Sequence, residues 1–255
     1  DPLWSRGLGD VYKRQMHNWP GSPAGTMGVI PGPMMASSNE FELTIKGKGS
    51  HAAQPHLSID PVLVAVQIAQ SWQTIISRNK NPLDAGVLSI TQIHSGSATN
   101  IVPDTASMIG TVRTFTLDTL SLIEQRMKEI AEHTATAFGA SVEFAFKRNY
   151  PPLINHEPET QFALEIMEAI VGSNGVLKKI EPTMGSEDFA FMLQEKPGCY
   201  VFIGNGDGTH RTAGHGLGPC NLHNPSYDFN DELLPIGASY WVRLAEQFLA
   251  TPSLR

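Results

Sequence analysis

Nine histidines stand out in a chain where charged residues are only 17% of the total, and they are where chemistry would begin. His17 lies in MHNWPG, where an extended run meets a Pro-Gly turn. His223 lies in LHNPSYDFND, just before a turn at Pro225. A neutral imidazole held by backbone on both sides is a good ligand for zinc or manganese. Two imidazoles do not make a site, because catalytic zinc wants at least three protein ligands and paired metals want more. On spacing alone, the favoured reading of either histidine is a hydrogen-bonded turn or core residue.

His51 and His56 fall in GKGSHAAQPH, where flanking glycines permit tight turning or close backbone approach. His51 there can donate to a substrate oxygen or cap the helix that follows. Asn100 in ATNIVPD and Arg113 in GTVRTF are further polar candidates. An arginine in a strand is an ion-paired or solvated face, or a fork for a substrate carboxylate. Glu187 and Asp188, in TMGSEDFAF, are paired acids next to a glycine at an expected helix start. Ser186 or its neighbour as N-cap, with acids favoured by the helix dipole in the first turn, would account for them without any chemistry. GNGDG at 204–208 lacks the features of a phosphate loop and reads as a plain loop. Cys220 precedes His223 by three residues, but no second thiol pair accompanies it, and no serine nucleophile elbow is present.

The elements that must position these residues follow from pattern. Residues 16–38 are rich in Gly, Pro and Met and read as loops with a short strand near 27–30. From 39 to 150 the alternation is regular. Phe41, Leu43 and Ile45 form a half-buried strand, and Asp60-Pro61 opens a helix through Ile76. Strands at 87–93 and 107–115, a helix at 120–138 ended by Gly139, and a strand at 142–146 complete the order β-α-β-β-α-β. That is the order of a ferredoxin-like module. Residues 151–255 carry helices after Pro158 and Ser186, one apolar strand at 200–203 and a last helix at 233–249. One interior strand cannot make an α/β sheet, so this block reads as part of a domain whose other strands lie elsewhere.

With 41% hydrophobic residues there is ample material for a core. The 25 acidic and 18 basic side chains leave a net charge of −7, which argues against nucleic acid or an anionic membrane as partner. No apolar run reaches the length of a membrane span. Two cysteines, Cys199 and Cys220, are too few for a disulfide scaffold and fit a reducing cytoplasm. Residues 1–15, ending GDVYKRQ, show no apolar periodicity and no signal-peptide pattern, and look like translated sequencing-adapter read-through. On that expectation Met16 is not a biological start and upstream coding sequence has been lost.

Together, MHNWPG, GKGSHAAQPH, TNIVPD, GTVRTF, MGSEDFAFML and LHNPSYDFND stand in the order and spacing of one family. The chain resembles the M20 metallopeptidases over about residues 16–250, and within them the amidohydrolase branch of hippurate hydrolases and N-acyl-L-amino-acid amidohydrolases. The resemblance implies an α/β catalytic domain at 16–38 and 151–255, interrupted at 39–150 by a ferredoxin-like lid that also dimerises. It implies two divalent metals, manganese or zinc with nickel or cobalt as further options, holding a water that attacks an amide carbonyl. By resemblance His17 and His223 are metal ligands. His51 stabilises the oxyanion, often in the partner's site across the dimer. Asn100 and Arg113 hold the substrate, and Glu187 lines the pocket rather than binding metal.

The departure from the family pattern is equally specific. An HxCGHD-type stretch and a pair of glutamates, which in the family supply further ligands and the general base, do not occur in this sequence. The expectation is therefore a small-molecule amidohydrolase in origin whose 255-residue chain is inactive by itself. A di- or tripeptidase of the same superfamily and a non-catalytic dimerisation or small-molecule-binding module are the competing readings.

Overall fold

The computed structural model describes residues 13–211, 216 and 218–251. Strands β1 (Lys13–Pro20), β2 (Met27–Gly28) and β3 (Gly32–Met35) open the chain. Residues 1–12 of the expected tail lie outside the described residues, whereas Lys13, Arg14 and Gln15, assigned to that tail for their adapter-like run, are the first three residues of β1.

One of two compact units comprises Met35–Pro152 together with Thr183–Glu187. It runs β4 (Ser38–Lys46), β5 (Ser50–His51), α1 (Pro61–Thr74), β6 (Gly86–Ser95), β7 (Ile101–Val102), β8 (Thr105–Thr114), α2 (Leu117–Ala137) and β9 (Ser141–Tyr150). The sheet has the order β6-β8-β4-β9 and is antiparallel throughout. With its two helices this is the ferredoxin-like arrangement expected from the sequence. Asp60 starts α1 by accepting the Val62 and Leu63 amides at 2.9 and 3.4 Å, so the capping role considered for His51 belongs to Asp60. Gly139, at φ +76°, takes the left-handed turn after α2. Alternation along β4 buries Phe41, Leu43 and Ile45 while Glu40 and Glu42 face outward. That apolar face packs with Ile68 and Trp72 of α1 and Leu120, Ile123 and Met127 of α2. The Trp72 ring meets Phe41 edge-on at 5.1 Å, and its Nε1–H donates to the Met127 carbonyl at 3.0 Å.

The other unit takes the described residues of Asp1–Met34, Leu153–Pro182 and Asp188–Arg255. After β10 (Leu153–Asn155) come α3 (Glu157–Val171), β11 (Val176–Leu177), α4 (Phe189–Glu195), β12 (Gly198–Gly206) and α5 (Leu234–Ala250). Its sheet has the order β1-β12-β2-β11, with β1 parallel to β12, β12 antiparallel to β2 and β2 parallel to β11. The apolar strand expected at 200–203 is the middle of β12, and it is buried from Gly198 to Asn205. Val201, Ile203, Phe162, Ile166, Met27 and Tyr240 share its core. Asn155 fixes the strand by donating to Tyr200 O at 3.0 Å and Ile30 O at 2.9 Å while accepting the Tyr200 amide at 2.8 Å. Among the described residues no helix is long and apolar enough to cross a membrane.

Candidate functional site

β1 delivers His17, and the pairing of β1 with β12 sets its surroundings. His17 is in register with Phe202, and the His17 ring lies 5.9 Å from Trp19 and 6.0 Å from Tyr200. Its Nδ1 lies 2.6 Å from the Asn18 carbonyl, which can only accept, so Nδ1 carries the proton. That bond leaves Nε2 with its lone pair, the form of imidazole that binds a metal.

His223 sits in the loop between β12 and α5, exposed, and is the one described non-glycine residue at positive φ (+63°). A left-handed histidine persists where its neighbours over-determine the backbone. Here Arg211 donates through one guanidinium nitrogen to Gly218 O at 2.7 Å and Ser226 O at 3.1 Å. Asn224 Oδ1 accepts the Ser226 amide at 2.9 Å.

The two histidine segments are tied together by three residues that no motif reading singled out. Asn205 is fully buried; its Oδ1 accepts from Asn18 Nδ2 at 3.1 Å and from the Asn230 amide at 2.8 Å. Its Nδ2 donates to Asp228 O at 2.9 Å. Tyr227 donates its hydroxyl to Asn18 Oδ1. Burial, reinforced by the nearby Cys220 and Asp228, raises the Tyr227 phenol above its ordinary range and keeps it a donor. Asn18 follows His17 directly and Tyr227 follows His223 by four, so the network joins the two expected ligand segments. Asn18 and Tyr227 lie inside quoted motifs, while Asn205 lies in the GNGDG run read as a plain loop.

As donors, His17 and His223 suit a divalent transition metal. As a centre they are insufficient, since among the described residues no group of three His, Cys, Asp or Glu side chains is placed to hold a metal.

The remaining candidates belong to the other unit. β5 and β7 form a two-stranded ribbon with His51 opposite Ile101, and Asn100 O accepts the Ala52 amide at 3.0 Å. The glycines expected to allow close approach do so: a Cβ on Gly49 would lie 2.8 Å from Val102 O, and one on Gly47 2.2 Å from Ile59 O. His51 is exposed, and its Nδ1 accepts the Ala53 amide at 3.1 Å. In the neutral ring the proton then sits on Nε2, which makes His51 a donor toward solvent and the opposite tautomer to His17. Arg113, on β8, donates to Ser186 Oγ at 3.1 Å. Ser186 is thus an arginine partner and not a helix cap, and Glu187 and Asp188 precede α4 instead of occupying its first turn. The segment of Glu187 joins this unit because Thr183 bridges to Met35 and the Thr183 and Gly185 carbonyls accept the Ala36 amide.

The model of peptidase family M20/M25/M40 matches residues 6–247, and the chain belongs to that family. N-acetylcysteine deacetylase of Bacillus subtilis (strain 168) is 36% identical over 236 residues, which are 92% of this chain and 58% of that protein. IAA-amino acid hydrolase ILR1-like 4 of Arabidopsis thaliana is 32% identical over 222 residues, 86% of this chain and 49% of that protein. Among solved structures, a dinuclear metal binding peptidase from the M20 family of Bacillus subtilis matches with a TM-score of 0.75 at 30% identity, covering 94% of this chain and 58% of its own. The chain therefore spans 49–58% of the length of these proteins.

Proposed function

We propose that this chain is part of a metal-dependent amidohydrolase that cleaves the amide bond of small N-acyl amino acids, hippurate-like compounds among them. The observation that carries the reading is the Asn18–Asn205–Tyr227 network, which fixes the strand of His17 to the loop of His223. The names of both relatives describe release of an acyl group from an amino acid, and the matching solved structure is named as dinuclear. In this reading His17 and His223 supply two donors to a pair of divalent ions, manganese or zinc, with nickel and cobalt also accommodated by imidazole. Bound there, the ions would lower the pKa of a water and polarise the carbonyl.

The chain's other residues act by position. His51 Nε2–H donates to the oxygen on which negative charge develops, a role its locked tautomer permits. Arg113 and Asn100 hold the carboxylate and carbonyl of the substrate, and Glu187 lines the pocket wall. The protein is a cytoplasmic homodimer through the inserted module, with neither nucleic acid nor membrane as partner.

Two imidazoles leave a metal shell open, so the 255-residue chain alone takes up zinc weakly and does not turn over. Calorimetric titration with Zn2+ or Mn2+ tests the ligands: weak uptake abolished by His17→Ala and by His223→Ala supports the reading, and uptake indifferent to both overturns it. Turnover of hippurate or N-acetylcysteine by the purified chain with metal would refute its inactivity, and turnover of dipeptides alone would move the substrate class.

A further inference from the structure

We infer that Ser186 is a positioning residue: it aims the Arg113 guanidinium while leaving its charge available to a ligand carboxylate. The arginines of the chain are engaged in different ways. Arg126, Arg148 and Arg243 sit on Glu129, Glu124 and Glu246, and Arg211 donates to the Gly208, Gly218 and Ser226 carbonyls. Arg113 is half-buried, and the partner of its head group among the described residues is a hydroxyl, Ser186 Oγ at 3.1 Å. A carboxylate in that place would neutralise the guanidinium and compete with an incoming anion. A hydroxyl accepts one N–H and leaves the positive charge and the other donors of the fork uncommitted.

The backbone around the pair is held on both sides. Alternation along β8 turns Val112 and Thr114 into the core and Arg113 to the opposite face. Both of these neighbours are pinned to residues 37–39, where β4 begins. The Ser37 amide donates to Thr114 O at 2.8 Å, and Ser37 Oγ accepts the Thr114 amide at 3.1 Å. Asn39 Nδ2 donates to Val112 O at 3.0 Å. Ser37, Asn39 and Thr114 are buried, so these bonds are shielded from water.

The residues just before this junction capture the segment of Ser186. Thr183–Glu187 is a short excursion, since Pro182 and Asp188 on either side of it belong to the other unit. Thr183 bridges to Met35, and the Ala36 amide donates to Thr183 O at 3.0 Å and Gly185 O at 2.8 Å. Thr183 Oγ1 accepts the Gly185 amide at 3.2 Å, and a Cβ on Gly185 would crowd Met35 Cε at 3.2 Å. Residues 35–39 therefore fix both the strand that carries Arg113 and the segment that carries Ser186. A guanidinium set in advance loses less rotamer freedom when it binds an anion. That the anion is the carboxylate of an N-acyl amino acid rests on the proposed function; the aim given to Arg113 does not.

The test reads the Arg113 side chain of the 255-residue chain by NMR. Without ligand, rotation about its Nε–Cζ bond should be at least about threefold faster in Ser186→Ala and restored in Ser186→Thr. Titration with N-acetylglycine, followed on the Arg113 Nε–H, should saturate, with affinity about tenfold weaker in Ser186→Ala. Ser186→Thr should stay within about twofold of the parent, and Ser186→Asp, which puts a carboxylate on the fork, should abolish the response. N-acetylglycinamide, which lacks the carboxylate, should leave the signal unmoved, and circular dichroism should be the same for every chain. Unchanged affinity in Ser186→Ala would overturn the inference and leave the hydrolytic reading standing. A loss that Ser186→Thr fails to restore would overturn it too, as a structural effect. An Arg113 signal indifferent to N-acetylglycine in the parent would overturn the inference together with the substrate contact assigned to Arg113.

Discussion

α2 and α5 are both long amphipathic helices, yet they end up in different circumstances. Six residues of α2 are buried, whereas Tyr240 alone is buried on α5. α5 leaves Leu234, Trp241, Val242 and Leu249 exposed at 39–59%. The difference lies in the sheets behind them. In the ferredoxin-like unit four strands of nine or ten residues pair along their lengths, and both helices cover one continuous apolar face. In the other unit β1 and β12 are long, but β2 and β11 have two residues each. The ferredoxin-like unit covers its sheet with its own two helices, and its exposed apolar side chains lie on α1 (Val62, Leu63, Val66) and at the ends of α2 (Leu117, Phe138). A unit that exposes apolar helix surface offers that surface to something else.

The largest expected effect comes from breaking the core of the ferredoxin-like unit. Trp72→Ala removes a fully buried ring that contacts Phe41 and bonds the α2 backbone, at a cost of about 3–5 kcal/mol. Hydrogen exchange by mass spectrometry should show β4, β8 and both flanking helices losing protection while β12 keeps it. Simultaneous loss in β12 would break the distinction between the units.

Next in size is Asn205→Ala. It strips partners from Asn18, the Asn230 amide and the Asp228 carbonyl in a buried position, which costs about 2–4 kcal/mol. The effect should fall in the unit of His17 and His223, lowering its urea midpoint and any zinc uptake together. A variant that loses stability but keeps zinc uptake would detach the network from the site.

These two residues also mark what was legible in the sequence. Trp72 belongs to an apolar series at helical spacing, and such periodicity exposed the whole ferredoxin-like order, its Asp60 cap and its Gly139 stop. Asn205 belongs to a Gly-rich polar run whose burial depends on partners 15 to 187 residues away, which no local pattern reveals. Thr183–Glu187 was hidden for the same reason, since its pairing with Met35 and Arg113 is long-range. The histidine motifs could be found by type and neighbours. Their opposite tautomers could not, because each is decided by a single backbone contact.

Alkali should separate the units more gently. Burial pushes the Cys199 thiol up to about 12 from its ordinary 9.0, and raises the Tyr240 phenol well above 10.0. Above about pH 9 the unfolded chain releases these protons before the folded one does. The folded state then binds more protons, so stability falls as pH rises toward 12. Thermal unfolding followed in the β12 and α5 segments should drop between pH 9 and 11 while β4 and α2 change little. Cys199 should also resist alkylation at pH 8 in the native chain.

The smallest effect carries the opposite sign. Tyr240 is fully buried and its hydroxyl has no hydrogen-bond partner among the described residues. An unpaired buried hydroxyl has lost its water without recompense, so Tyr240→Phe should stabilise the unit by about 1 kcal/mol. It also removes one of the two groups behind the alkaline loss, which should therefore shrink in this variant and persist in proportion to Cys199 alone. Truncating a buried ring would thus weaken the ferredoxin-like unit while deleting a buried hydroxyl strengthens the other. A destabilised Tyr240→Phe chain would mean that the phenol is paired, and that its helix is better satisfied than the comparison with α2 implies.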